Sequence, residues 1–269
     1  MVVTLQDGEL ELLAKPARVN VLDMTFRASS SHIGSSFSVL DLLICAYKLT
    51  TLDLNSRIIL SKGHAAAAYY SVLEVFGQLS KLELENYCKD GSLLTGHVSH
   101  FVHKSIALST GSLGHGFPYA AGIALSNKIS KIKGKTIVII SDGELDEGTT
   151  WETALLSNHF NLSDLILIID RNGLQSLAST EETIKLNPIR EKWESFGWDV
   201  REINGHSYSE ICGSLNSLVK SQSKPTCIVA NTIKGFGINF MENQVKWHYK
   251  SPNFDEHTTG NIELNERFP

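Results

Sequence analysis

Thr136-Ile137-Val138-Ile139-Ile140-Ser141-Asp142-Gly143-Glu144 and Leu165-Ile166-Leu167-Ile168-Ile169-Asp170-Arg171-Asn172-Gly173-Leu174 decide how this chain folds. Each opens as a short apolar run, 136–140 and 165–169, and stops abruptly at a polar, glycine-containing tip. Taken singly, Asp-Gly and Asn-Gly are ordinary turns. Asp142 and Asn172 lie thirty positions apart, about the length a strand–helix–strand unit needs to set successive strand ends side by side. A carboxylate, a side-chain amide oxygen and a nearby backbone carbonyl then meet as an incomplete oxygen set. Such a set suits Mg²⁺, a hard ion whose coordination is usually completed by substrate phosphates and water. The open positions ask for a diphosphate.

The 269 residues are 42% hydrophobic and 20% charged, enough apolar matter for a full core, and read as one globular domain over 1–269. A net charge of −5 without a basic stripe argues against a nucleic-acid surface. Cys45, Cys88, Cys212 and Cys227 have no paired spacing, so neither a zinc site nor a disulfide framework is indicated. They read as buried thiols of a reducing compartment. The N-terminus lacks a basic segment followed by an apolar one, and no apolar stretch reaches the roughly twenty residues that span a bilayer. The expectation is a cytoplasmic protein with no membrane contact.

Apolar spacing places a helix over 10–25, kinked or divided at Pro16. A polar loop over 29–36 precedes a helix over 39–49 with Ser38 as its N-cap. A strand at 57–60 runs through Ser61-Lys62-Gly63-His64 into an alanine-rich helix, an arrangement that offers free N–H groups to an anion. Helices follow at 69–76, 79–87 and 118–128, the last behind the glycine-rich Thr110-Gly111-Ser112-Leu113-Gly114-His115-Gly116. Beyond Asp142 come helices at 147–158, 189–196 and 208–219 and strands at 199–203 and 226–231. Glu144 and Asp146 read as acidic compensation of a helix N-terminus. Alternating strands and helices make an α/β fold, a doubly wound, mainly parallel sheet flanked by helices, with ligands at the carboxyl strand ends. The closing segment, 257–269, reads as short and polar.

In their order these motifs resemble the transketolase family of thiamine diphosphate enzymes, over most of residues 5–255. The Asp-Gly and Asn pair matches the family's cofactor signature, with Ser141 in place of its leading Gly. The resemblance implies Mg²⁺ held by Asp142, Asn172 and the Leu174 carbonyl. It implies cofactor contacts from His64, Gly111, Leu113, Gly114, Gly143, Glu144, Asn172 and His248. His32, in a Ser-x-His-x-Gly pattern, His97, followed by Val98 where the family has Pro, and His248, in Trp247-His248, would face substrate. His115 stands where the family commonly has Gln. Glu147 and Glu152 align with glutamates that lie at the family's dimer interface and are thought to relay protons there.

The family polypeptide is much longer, and its second half carries the pyrimidine-side domain. The resemblance therefore implies one half of a split transketolase. It would transfer a two-carbon ketol unit between sugars or sugar phosphates, and would be active only with a complementary, pyrimidine-domain subunit in an α₂β₂ assembly. Its docking face is expected around 111–121 and 147–156. The alternatives are a component of another two-chain thiamine enzyme, such as a 2-oxo acid dehydrogenase first component, and a non-catalytic regulatory partner.

Overall fold

A computed structural model describes residues 4–219 and 222–268. Its centre is a five-stranded sheet with β1 Arg57–Leu60, β2 Thr136–Ser141, β3 Leu165–Arg171, β4 Asp199–Asn204 and β5 Thr226–Asn231. Every neighbouring pair is parallel, in the order β1-β2-β3-β5-β4. Ser141 pairs with Asp170, and Asp170 with Ala230. The polar tips of β2, β3 and β5 therefore end level with one another.

Alternation along the strands distributes the aliphatic side chains between two cores, since successive Cβ atoms point to opposite faces. Ile58, Ile137, Ile139, Ile166 and Ile168 join one core with the helices Ala14–Arg27, Ile33–Thr51, Ala66–Val75 and Tyr208–Leu218. Ile59, Val138, Ile140, Leu167 and Ile169 join the other with Gly116–Ser130, Gly148–His159 and Ile189–Ser195. Each such isoleucine or leucine, fully buried, contributes about 1.5–3 kcal/mol. That burial is why these runs are apolar throughout and why only their ends carry chemistry.

Several boundaries differ from the sequence reading. The first helix is divided, Asp7–Glu11 and Ala14–Arg27, and Pro16 sits in the first turn of the second piece, where its missing N–H costs no bond. The next helix begins at Ile33, with His32 and not Ser38 at its N-cap. Ser38 is wholly buried, and its hydroxyl donates to the Ser35 carbonyl and, at 2.6 Å, to Asp170 Oδ2. With Asp170 as a distant partner the Ser38 hydroxyl is satisfied inside the helix. This helix is long and apolar enough to cross a membrane by length and composition, contrary to the sequence expectation, but it is buried along most of its length in the sheet-side core. Cys88 is exposed, while Cys45 and Cys212 lie buried with their sulfurs 3.8 Å apart. The closing segment forms an ordered helix, Phe254–Arg267, started by a capping box between Asn253 and Glu256 and anchored by buried Leu264.

Candidate active site

Loops at the carboxyl ends of β1, β2, β3 and β5 enclose a cavity of about 340 Å³. Four imidazoles from well-separated segments line it. The His32 ring lies 5.3 Å from His64, 5.9 Å from His97 and 5.0 Å from His248, and His64 lies 5.8 Å from His248. His32 reaches this position through a left-handed backbone, φ 70°, that starts its helix, and its N–H donates to the His248 carbonyl at 2.8 Å. Its Nδ1 is buried with no hydrogen-bond partner among the described residues, a polar atom open to a ligand. Burial, then the neighbouring His97 and Lys234, pushes His32 down to about 4. Burial, then Lys234, pushes His248 down to about 3. His64 is depressed in the same direction by burial and Lys62. At neutral pH these three rings are neutral, so each offers one donor and one acceptor to a hydroxylated ligand.

The oxygen set assembles as the strand ends require. Asp142 is buried at the tip of β2, where Oδ2 accepts the Gly173 N–H at 2.7 Å and Arg171 Nη1 at 3.2 Å, and Oδ1, among the described residues, accepts only the N–H of its neighbour Gly143 at 3.0 Å. Burial and nearby Asp170 raise the Asp142 pKa, against the pull of Arg171. Asn172 Oδ1 accepts the Leu174 N–H at 3.1 Å, and the Leu174 carbonyl faces Lys234 Nζ at 3.5 Å. Among the described residues no group of three His, Cys, Asp or Glu side chains gathers as a metal cage. One carboxylate, one amide and one carbonyl form a donor set for a hard cation that shares its shell with phosphate oxygens. On this chemistry the site fits a divalent cation bound together with a diphosphate.

Two cations that line the cavity were not singled out from the sequence. Lys62, fully buried, pairs with Asp170 and donates to the Ser35 carbonyl at 3.1 Å. Lys234, also buried, lies 2.9 Å from His248 Nδ1, and burial followed by Lys62 lowers it to about 8. Lys62 stands in the Ser61-Lys62-Gly63-His64 motif, and Lys234 in Ile233-Lys234-Gly235 shortly after β5. A lysine flanked by glycine near a strand end was the available signal for an anion site.

Gly111, Leu113, Gly143 and Glu147 border the cavity. Gly114 and Glu144 lie behind it, and Glu152 is exposed on the outer side of its helix. The glycines pack against this chain itself: at Gly114, φ +77°, a Cβ would come within 2.7 Å of Glu147 Cβ. Glu144 lies outside the first turn of the helix Gly148–His159 and instead closes a capping box with Ser141 on the short 3-10 turn Asp142–Asp146. It is fully buried and accepts the Ser61 hydroxyl, the Ser141 N–H at 2.9 Å and the Gly114 N–H at 3.1 Å. It ties the Gly114 loop and the end of β1 to the turn after β2. Trp151 belongs to a satellite of the core, stacked on Phe196, with Nε1 donating to the Leu145 carbonyl. His115 occupies the N-cap position of the helix Gly116–Ser130 without a side-chain capping bond and is exposed.

Residues 11–259 match the family model of the transketolase thiamine diphosphate binding domain. The chain belongs to the transketolase family. It is 35% identical over 274 residues to an apulose-4-phosphate transketolase subunit of Phocaeicola vulgatus, covering 98% of this chain and 96% of that one. It is 34% identical to the 6-deoxy-6-sulfo-D-fructose transketolase subunit SqwG of a Clostridium species, covering 90% and 91%. Human transketolase is 32% identical over 247 residues, of which the alignment takes 88% of this chain and 39% of the human one. Campylobacter jejuni transketolase superposes with a TM-score of 0.89 at 28% identity, over 97% of this chain and 43% of that one. This transketolase-family chain thus has the extent of the single subunits it matches and spans about two-fifths of the solved transketolase chains.

Proposed function

We propose that this chain is the diphosphate- and metal-holding subunit of a two-subunit transketolase, moving a two-carbon ketol unit from a ketose to an aldose. One observation carries the reading: three oxygen donors, two buried lysines and four imidazoles converge on a single cavity at the strand ends. Asp142 Oδ1, Asn172 Oδ1 and the Leu174 carbonyl would hold Mg²⁺. Lys62, Lys234 and His64 would take the diphosphate charge. Thiamine diphosphate, when bound, supplies the carbon nucleophile and the electron sink. His32, His97 and His248 would bind the hydroxyls of a sugar or sugar phosphate and carry protons at their ring nitrogens, a contribution worth about 10²–10⁴-fold for a well-placed group.

The exposed apolar side chains of Tyr119, Leu155 and Leu156, on the helices Gly116–Ser130 and Gly148–His159, support a face where the complementary subunit docks. In a symmetric α₂β₂ assembly, Glu147 and Glu152 would come to that face. The four free cysteines support a reducing cytoplasm. A 2-oxo acid dehydrogenase component or a silent regulatory partner gains no support, because the likenesses are to transketolases and the donors and imidazoles are all in place. The test is reconstitution: the purified chain with thiamine diphosphate, Mg²⁺, a ketose phosphate and an aldose phosphate should show no ketol transfer until a complementary pyrimidine-domain subunit is added. Turnover by the chain alone would overturn the two-subunit reading.

A further inference from the structure

Arg171 closes β3 and is not among the residues that line the cavity, yet its guanidinium connects two parts of the site. Nη1 donates to Asp142 Oδ2 at 3.2 Å and to Thr180 Oγ1 at 2.7 Å, while Nη2 reaches Glu181 Oε1 at 3.3 Å. Glu181 Oε1 in turn accepts the N–H groups of Leu186 and Asn187. Between these anchors the chain from Asn172 to Thr180 folds back on itself. Leu174 bridges Ser179, Gln175 N–H donates to the Ala178 carbonyl at 2.9 Å, and Thr180 N–H donates to the Gly173 carbonyl at 3.0 Å. The folded-back lobe carries Asn172, the Leu174 carbonyl, Gln175 and Ser176 into the cavity.

We propose that Arg171 is a positioning residue for the metal corner: a clamp that turns Asp142 so that Oδ1 faces the cation, and that locks the 172–180 lobe to the same carboxylate. The inference rests on the reading that Asp142, Asn172 and Leu174 hold a divalent cation. With Oδ2 occupied by Arg171 and Gly173, the carboxylate has one oxygen left for a metal. The planar guanidinium reaches a carboxylate and a hydroxyl from one nitrogen and a second carboxylate from another, a spread that an ammonium, with its donors on a single nitrogen, does not reproduce. The arrangement also has an electrostatic consequence. Arg171 pairs with Asp142, and Lys62 and Lys234 add positive charge to the same cavity, so a bare cation meets an Asp142 carboxylate whose charge is already partly offset. The metal is drawn in together with a diphosphate anion, whose oxygens complete its shell.

The test uses the full chain with Mn²⁺ as the spectroscopic stand-in for Mg²⁺ and inorganic pyrophosphate as the anion, read by Mn²⁺ electron paramagnetic resonance. Wild type should take up Mn²⁺ only when pyrophosphate is present. Arg171→Gln and Arg171→Lys should each weaken that uptake by about tenfold, the effect expected of a partner outside the coordination shell, and alter the line shape of what remains bound. Thr180→Val, which leaves Asp142 and every metal donor untouched, should weaken it several-fold and keeps the idea testable should the arginine variants fold poorly. Tighter uptake by Arg171→Gln would show that the guanidinium acts only as a repelling charge and would overturn the clamp. So would wild-type uptake by both Arg171→Lys and Thr180→Val. Absence of uptake by wild type even with pyrophosphate would instead overturn the metal-site reading, and the clamp with it.

Discussion

Glu144 Oε1 accepts the N–H of Gly114 at 3.1 Å, tying the turn after β2 to the glycine loop that precedes the helix Gly116–Ser130. The same carboxylate holds the Ser61 hydroxyl and the Ser141 N–H, so three segments that border the cavity hang on one buried acid. Glutamine at this position has a single acceptor oxygen and would set an N–H₂ against a donor. Glu144→Gln should therefore lose about 1–3 kcal/mol, the cost of leaving a buried donor unpaired. Urea denaturation would measure it, and an unchanged midpoint would show that water replaces the carboxylate.

Asp142→Asn preserves the acceptor for Gly173 and removes the charge. Metal-dependent retention of thiamine diphosphate in the assembled enzyme should fall by more than about tenfold, since the ion loses its one anionic protein ligand, with the fold unaltered by circular dichroism. Undiminished cofactor affinity in this variant would rule Asp142 out as a ligand.

His32 and His248 make stability depend on pH in a defined direction. Both titrate lower in the folded chain, near 4 and 3 respectively, than the roughly 6.5 of an unfolded imidazole. Below that unfolded value the unfolded state binds more protons, so stability is lost as pH falls toward the folded values. The unfolding midpoint of the ligand-free chain should drop between about pH 7 and about pH 5, and His32→Asn or His248→Asn should shrink the drop. A variant with the wild-type slope would show that its ring stays accessible to protons.

Further along the helix Ile33–Thr51, Asp41 binds both terminal nitrogens of the buried Arg18 at 2.9 and 2.6 Å, together with His206 Nδ1 and the Tyr208 hydroxyl at 2.8 Å each. Burial alone would raise its pKa, but Arg18 and His206 override that and hold it well below the usual carboxylate range. Asp41→Asn leaves a guanidinium buried without its counter-ion and should cost about 3–5 kcal/mol in denaturant unfolding. A loss below about 1 kcal/mol would place Arg18 in contact with solvent in that variant.

Leu155 is 57% exposed on the helix Gly148–His159. Leu155→Asp should abolish co-purification with the complementary subunit while changing the chain's own stability by no more than about 0.5 kcal/mol. Normal assembly by this variant would move the interface elsewhere.

Local pattern alone settled a large part of this protein. Short apolar runs marked the strands, turn chemistry marked where they end, and the spacing of Asp142 and Asn172 placed those ends together, because period and propensity act over a few residues and one strand–helix–strand unit has a fixed reach. The imidazoles were legible only as an ordered series, since a lone His in a polar loop carries no local signal. Tertiary structure decided what depends on partners far along the chain. Lys62 meets Asp170, 108 positions away, and Glu144 meets Ser61, 83 positions away. Ser38 leaves the cap for the helix interior because Asp170 receives its hydroxyl, and Glu144 turns inward because Ser61 and Gly114 offer it donors. Arg171 becomes a link between metal corner and lobe only once Thr180 and Asp142 stand on either side of it. Burial turns such encounters into requirements, because a charged or polar group withdrawn from water must find its partner inside the protein, and only the assembled fold specifies which partner lies within reach.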